Sequence, residues 1–215
     1  EKIHESGLYD YVSEINLVIN GNADFINFSD HKKYNFSYEN KDLTKAEFPT
    51  LVKLWNDSRA SNFNVLYLHT KGAFRSGSKI RDWVEYLSYF NIERWKCITK
   101  YLGIYDGVGV NLISNSKGMN DQLKIAGLKT RGLRHYSGNF WWSRADYIRK
   151  LQNPENLFNG DYKNKGKMKK IYRYMAEAWI GTGEKEESLK SVFNSKTNHY
   201  LENYSRAEYD GVEWK

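Results

Sequence analysis

Apolar side chains recur at helical spacing over Glu47 to Arg59, through Phe48, Leu51, Val52, Leu54 and Trp55, with Pro49 at home in a first turn. The longest such pattern runs over 78–102, through Trp83, Tyr86, Leu87, Phe90, Ile92 and Trp95. Shorter ones cover Arg144 to Leu151, Ile171 to Ile180, and residues 1–12, where Ser6-Gly7 interrupts. Continuous apolar runs mark strands instead. Ile15 to Ile19 is β-branched and closed by Asn20-Gly21, and Asn64 to His69 is bounded by Gly72. Tyr105 to Leu112 and Gly138 to Trp142 are further strands, and Phe25 to Phe28 is a short one. Residues 29–46, 114–133 and 153–168 are polar or rich in Gly, Lys and Asn, and are expected as connections.

Strands and helices alternate, with neither an internal repeat nor a Pro-rich linker. The order predicts one α/β domain over residues 1–215, in three layers around a mostly parallel sheet. In such sheets ligands bind at the carboxyl ends of the strands. That rule selects His69 to Gly72, Asp106 or Asn111, and Ser137 to Trp142.

Composition narrows the function. Aromatic residues are 16% of the chain, enough apolar surface to exclude a disordered chain. No stretch approaches the ~18 uninterrupted apolar residues of a membrane span. The single cysteine, Cys97, excludes an internal disulfide framework and a cysteine zinc cluster. No secretory leader is present, so a cytoplasmic location is expected; the start at Glu1-Lys2-Ile3 reads as internal. The formal net charge of +7 suits polyanions, nucleotide phosphates or anionic surfaces, or is simply a basic solvated surface. No basic–aromatic stripe recurs along a sheet, so nucleic acid is not expected as a partner.

Four segments could carry chemistry. Lys71 and Gly72, leaving a buried strand, could cradle a phosphate; the alternative is that Lys71 simply reaches solvent. His69 beside them fits a hydrogen-bonded strand-end residue. Arg81, in the first turn of a helix, runs against the dipole and invites an anion, or else pairs with Asp82 or Glu85. Gly138-Asn139-Phe140-Trp141-Trp142 combines a tight backbone, an amide and flat apolar faces, the groups that bind sugar rings. Because Trp141 and Trp142 point to opposite faces, at least one belongs in the core. Glu177, in an aromatic surround with Trp179, suits a general base if partly buried; the alternative is a surface ion pair with Arg173. Dinucleotide, P-loop and Gly-x-Ser-x-Gly motifs are absent.

Together Leu68 to Gly72, Asp106 to Asn111, Ser137 to Trp142 and Glu177 to Gly181 resemble a family of viral and bacterial glycosyltransferases of the GT-A fold. The resemblance spans Ser6 to about Tyr209, and the Gly-Asn-Phe-Trp-Trp segment is its most specific part. It implies transfer of a sugar from a UDP- or dTDP-sugar donor to a hydroxyl of a glycan acceptor, in inverting fashion, with retention still open. It implies donor contacts from His69, Lys71, Gly72, Arg81, Asp106 and Asn111. Sugar or acceptor contacts would come from Gly138, Asn139, Trp141, Trp142 and Trp179, and the base would be Glu177. Many such enzymes hold Mn²⁺ or Mg²⁺ on Asp-x-Asp, where this chain has His69-Thr70-Lys71. A cation supplied by Lys71 and a bound metal both stay open. The family's fold normally begins with a nucleoside-holding strand that this chain is expected to lack. The competing expectation is a non-catalytic nucleotide- or carbohydrate-binding module.

Overall fold

The computed structural model describes residues 1–21, 32–40, 43–70, 77–114, 121, 133–158, 168–183 and 188–212. Helices α1 (Lys2–Glu5) and α2 (Leu8–Tyr11) are separated by Gly7, whose φ of 72° makes the break that Ser6-Gly7 predicts. Strand β1 (Ile15–Asn20) follows and pairs in parallel with β2 (Tyr34–Asn40). This second strand lies where a polar connection is expected. The expected strand over Phe25 to Phe28 lies outside the described residues.

Helix α3 (Phe48–Ala60) buries Pro49, Leu51, Leu54 and Ser58. It leads into β3 (Asn64–Tyr67). Helix α4 (Ser78–Ser88) continues through a π-helical stretch, Tyr89–Glu93, into α5 (Trp95–Ile98). The expected strand over 105–112 is two short ones, β4 (Gly107–Gly109) and β5 (Leu112–Ser114), divided at Asn111, whose φ is 50°. Then come β6 (Arg134–Tyr136), β7 (Trp141–Arg144), α6 (Ala145–Ile148), α7 (Pro154–Phe158), α8 (Met168–Ala178) and β8 (Leu189–Ser191).

The central sheet has the order β3-β7-β4-β8. Its pairings are mixed: β7 runs antiparallel to both β3 and β4, while β4 and β8 are parallel. The expectation of a mostly parallel sheet is therefore corrected to a mixed one. Strands β3, β4 and β8 nevertheless share one direction, so their carboxyl ends, with the entry to β7, meet at one edge.

Alternation along β7 divides the core. Trp141 joins Leu51, Tyr147, Ile148, Met175 and Trp179. Trp142 joins Trp83, Leu87, Phe90, Ile98 and Val108 in a second cluster. The π-helical stretch has a packing role, since it presents the Asn91 carbonyl to the Trp142 indole N–H at 2.9 Å. Among the described residues no helix is long and apolar enough to cross a membrane.

Candidate functional site at the carboxyl edge of the sheet

His69 leaves β3 between two acceptors. Its Nδ1 is 3.0 Å from Glu47 Oε1, at the start of α3, and its Nε2 is 3.0 Å from the Gly138 carbonyl oxygen. Gly138 and Asn139 turn the chain into β7 with φ of 95° and 56°, the left-handed region that Gly and Asn tolerate best. A Cβ on Gly138 would stand 2.7 Å from Leu87 Cδ1, so the position also demands the smallest residue.

Tyr67, one turn of the pleat before His69, is buried against Trp141 at a centroid distance of 4.8 Å. Its hydroxyl has no hydrogen-bond partner among the described residues. Burial pushes the phenol well above its ordinary pKa, and the charges of Glu47 and Glu177 push it the same way. Tyr67 therefore sits within the field of both carboxylates. Glu177 is 9% exposed, near the end of α8, and its Oε1 accepts a bond from Arg173 Nε at 3.2 Å. Burial alone would lower the Arg173 pKa, but Glu177, Tyr200 and Glu47 outweigh it and raise it. Glu177 is thus both ion-paired and buried.

After β4, Asn111 organises the loop that follows β8. Its Oδ1 accepts the Ser195 backbone N–H at 2.7 Å and the Tyr86 hydroxyl at 3.0 Å. Because a backbone N–H only donates, this fixes the amide orientation and turns Nδ2 toward Ser195 Oγ at 3.4 Å and His199 Nε2 at 3.3 Å. A donor facing Nε2 makes that nitrogen an acceptor. The Ser195 hydroxyl, 2.6 Å away, then donates to it. The imidazole is clamped between Trp83 and Tyr86, with ring centroids at 5.6 and 4.9 Å.

Trp83, Asn111, Ser137, Ser195, His199 and Tyr200 line a cleft of about 430 Å³. Tyr200 is 46% exposed, stands edge-on to Trp83 at 4.6 Å, and receives Arg173 Nη2 at its hydroxyl at 3.4 Å. Arg173 thus ties the cleft rim to Glu177.

Of the expected site residues, His69, Asn111, Gly138, Asn139 and Glu177 gather at this edge. Gly138 and Asn139 act as backbone turn residues. The Asn139 Oδ1 is taken by Trp141 Nε1 at 2.9 Å, and the residue is 1% exposed, so its amide is not offered to a ligand.

The tryptophan platform is corrected. Trp141, Trp142 and Trp179 are all buried, and the last two give their indole N–H to the Asn91 and Gln152 carbonyls at 2.9 Å. Helices close over both faces of the sheet and leave those rings no ligand surface. Asp106 is also corrected. It precedes β4, at the opposite edge from Asn111, where its Oδ1 pairs with Arg144 Nη2 at 3.0 Å and its Oδ2 accepts the Ser188 N–H. Burial lowers the basicity of Arg144, but its bond to Asp146, the leading influence, and the charges of Asp146 and Asp106 raise it on balance.

Arg81 is exposed in the first turn of α4, and among the described residues no hydrogen bond or ion pair joins it to the cleft. Its expected partners are engaged elsewhere: Asp82 accepts Asn203, and Glu85 pairs with Lys2 and Arg206. Lys71 and Gly72 lie outside the described residues. Among the described residues no group of three His, Cys, Asp or Glu side chains is placed to hold a metal ion.

Ser195, His199 and Tyr200 are functional candidates that no motif announces, since they converge with Asn111 and Trp83 only through the loop after a three-residue strand. Glu47 gives no signal beyond its place at a helix start.

Fold and site together define a mixed α/β domain with a cleft at the shared carboxyl edge of β3, β4 and β8. The family described as domain of unknown function DUF8361 matches residues 11–200, and the chain belongs to it. No curated protein and no solved structure matches the chain.

Proposed function

We propose that the chain is the catalytic domain of a glycosyltransferase of the GT-A class, moving a sugar from a nucleotide-diphosphate donor to a hydroxyl of a glycan acceptor. The observation that carries this reading is the placement of Glu177: buried, held by Arg173, and linked through it to the rim of a cleft of hydroxyls, amides and an exposed tyrosine. The common direction of β3, β4 and β8, with the candidate residues His69, Asn111 and Gly138 at that edge, supports the same class.

In the reaction the acceptor oxygen bonds to the anomeric carbon. The bond from that carbon to the diphosphate oxygen breaks, and its electron pair leaves with the diphosphate. The acceptor proton passes to the Glu177 carboxylate, of which Arg173 engages only Oε1 among the described residues. A single displacement inverts the anomeric centre. His69, held by Glu47 and Gly138, fixes the β3 end beside the donor, and Lys71 and Arg81 are the cations this reading assigns to the diphosphate.

A second reading, a nucleotide- or carbohydrate-binding module without catalysis, draws on the ion pair that already occupies Glu177 and on the burial of the three tryptophans. One experiment separates the two. UDP- and dTDP-sugars are screened by thermal shift, since a ligand bound only to the folded state raises its stability. Nucleotide release is then followed with neutral glycan acceptors. A transferase releases nucleotide, and Glu177→Gln reduces release at least 100-fold while keeping the thermal shift. A binding module gives the shift with no release. Normal turnover by Glu177→Gln would remove the base assignment.

A further inference from the structure

The carboxyl-edge cleft contrasts with a chain of formal net charge +7. Among the described residues that line it there is no Lys, Arg, Asp or Glu; the lining is hydroxyl, amide, imidazole, aromatic and aliphatic. A charged ligand buried among these residues would lose its hydration, and the guanidinium at the rim, Arg173, is already paired with Glu177, so that cost is poorly offset. The volume of about 430 Å³ suits a compact ring rather than a polymer groove.

The polar groups present specific donors and acceptors. Asn198 Oδ1 accepts the Tyr200 N–H at 3.2 Å, so that amide keeps its NH₂ to donate, while the Asn194 amide lies 2.7 Å from the Ser191 hydroxyl, which also meets the Phe193 carbonyl at 2.9 Å. The Ser195 proton is directed to His199, which leaves the Ser195 oxygen as an acceptor toward the cleft. Tyr200 supplies a half-exposed aromatic face, fixed edge-on by Trp83 and at its hydroxyl by Arg173. A neutral sugar ring matches this set: its hydroxyls need mixed donors and acceptors at fixed positions, and its C–H face needs an aromatic surface.

We infer that this cleft seats an unmodified neutral sugar ring of the acceptor, and that the donor diphosphate binds outside it. The word acceptor rests on the transferase reading; the sugar itself does not.

The test is a titration of the ¹⁵N-labelled chain with methyl glycosides of glucose, galactose, rhamnose and xylose, beside UDP and inorganic pyrophosphate. At least one glycoside shifts the Trp83 indole N–H resonance while that of Trp55 stays in place, and pyrophosphate does not displace it. Tyr200→Ala weakens that glycoside about tenfold, whereas Tyr11→Ala, which also removes an exposed tyrosine, leaves its Kd unchanged. Failure of every glycoside to move Trp83, displacement by pyrophosphate, or a change below twofold in Tyr200→Ala overturns the inference. Turnover of a nucleotide-sugar without any glycoside effect at Trp83 defeats the inference and leaves the proposed function standing. Glycoside binding at Trp83 without turnover of any nucleotide-sugar defeats the proposed function and leaves the cleft a sugar site.

Discussion

His69 and Gly138 are joined across 69 positions of sequence by a contact of 3.0 Å between an imidazole nitrogen and a backbone carbonyl. The bond locks the end of β3 to the turn that enters β7, and the second ring nitrogen extends the lock to Glu47 at the start of α3. Three elements that build the cleft edge are thus held by one side chain, which is 14% exposed. Bonds shielded in this way are costly to leave unmade.

Replacing His69 with Phe keeps the ring volume and its edge contact with Phe140 at 5.6 Å, but removes the contacts to the Glu47 carboxylate and the Gly138 carbonyl. Unfolding in urea should show a loss of about 2 kcal/mol. His69→Gln, which retains one donor, should lose about half as much. Equal stability of His69→Phe and wild type would show that the two contacts contribute nothing net.

Close backbone approach sets a second expectation. A Cβ on Gly109 would lie 2.8 Å from Tyr136 Cδ1 and 3.1 Å from the Phe140 carbonyl oxygen, and one on Gly181 would collide with the Arg134 backbone. Neither neighbour is the free end of a flexible side chain. Gly109→Ala and Gly181→Ala should each cost about 3 kcal/mol or more, seen as a large fall in urea midpoint. Gly103→Ala, with nothing within 4 Å of the new methyl, should stay within about 0.5 kcal/mol of wild type.

His135, buried on β6, gives the protein a pH dependence of known sign. Burial pushes its pKa from 6.5 down to about 4. The unfolded chain therefore binds a proton below pH 6.5 that the folded chain refuses until about pH 4. Stability contributed by the neutral ring is complete above pH 6.5, declines as pH falls through that window, and levels off below it. The full loss is about 3 kcal/mol. Glu93 and Asp146, whose pKa values are lowered, give up their contributions as pH falls from the ordinary carboxylate range downward, so the decline from His135 begins at higher pH than theirs. Urea titrations between pH 7 and 5 should show the decline in wild type and a flatter profile in His135→Asn.

The parts of the fold legible in the sequence are those whose signal is local. Helix α3, the long helical run from Ser78, and β3 each carry a periodic or continuous apolar pattern that packing then uses as written. Strand β2 is not legible, because Tyr34-Asn35-Phe36-Ser37 mixes polar residues and its parallel partner lies upstream. Strand β8 has three residues, and its Leu189 packs into the space that Gly107 opposite leaves, 2.7 Å from where a Cβ would stand. The aromatic segment misleads for a different reason. Trp141 reads alike whether its ring meets a ligand or Tyr67, and only the helices closing over β7 decide it. The Asn111–Ser195–His199 group depends on contacts across 84 and 88 positions, which no spacing rule reaches.

Asp106 illustrates how strand direction separates two residues that look equivalent at the ends of one apolar run. It lies on the edge away from the cleft, paired with Arg144 at 3.0 Å in partly exposed surroundings. Asp106→Asn should cost about 1 kcal/mol of stability, in keeping with a partly solvated pair that also accepts a backbone N–H. Thermal shifts produced by nucleotide-sugars should be unchanged. Loss of those shifts in a variant that is otherwise folded would return Asp106 to the donor site.

The Arg173–Glu177 pair allows a structural role and a catalytic one to be told apart by magnitude. Arg173 is 42% exposed at its side chain and Glu177 only 12%, one helical turn apart, so the pair lies between a surface bridge and a buried one. A double-mutant cycle with Arg173→Gln and Glu177→Gln should give a coupling of about 1 kcal/mol in unfolding free energy. An effect of that size barely alters the folded fraction of a domain stable by several kcal/mol. If Glu177 only braces α8, turnover in Glu177→Gln follows the folded fraction and stays near wild type. If it accepts the acceptor proton, turnover falls at least 100-fold, an increase of about 2.7 kcal/mol in the barrier, with the folded fraction unchanged. Arg173→Gln then falls in between, because it leaves the carboxylate in place and frees only its orientation. A turnover loss in Arg173→Gln exceeding that in Glu177→Gln would reverse the assignment and make the guanidinium the group that acts on the substrate.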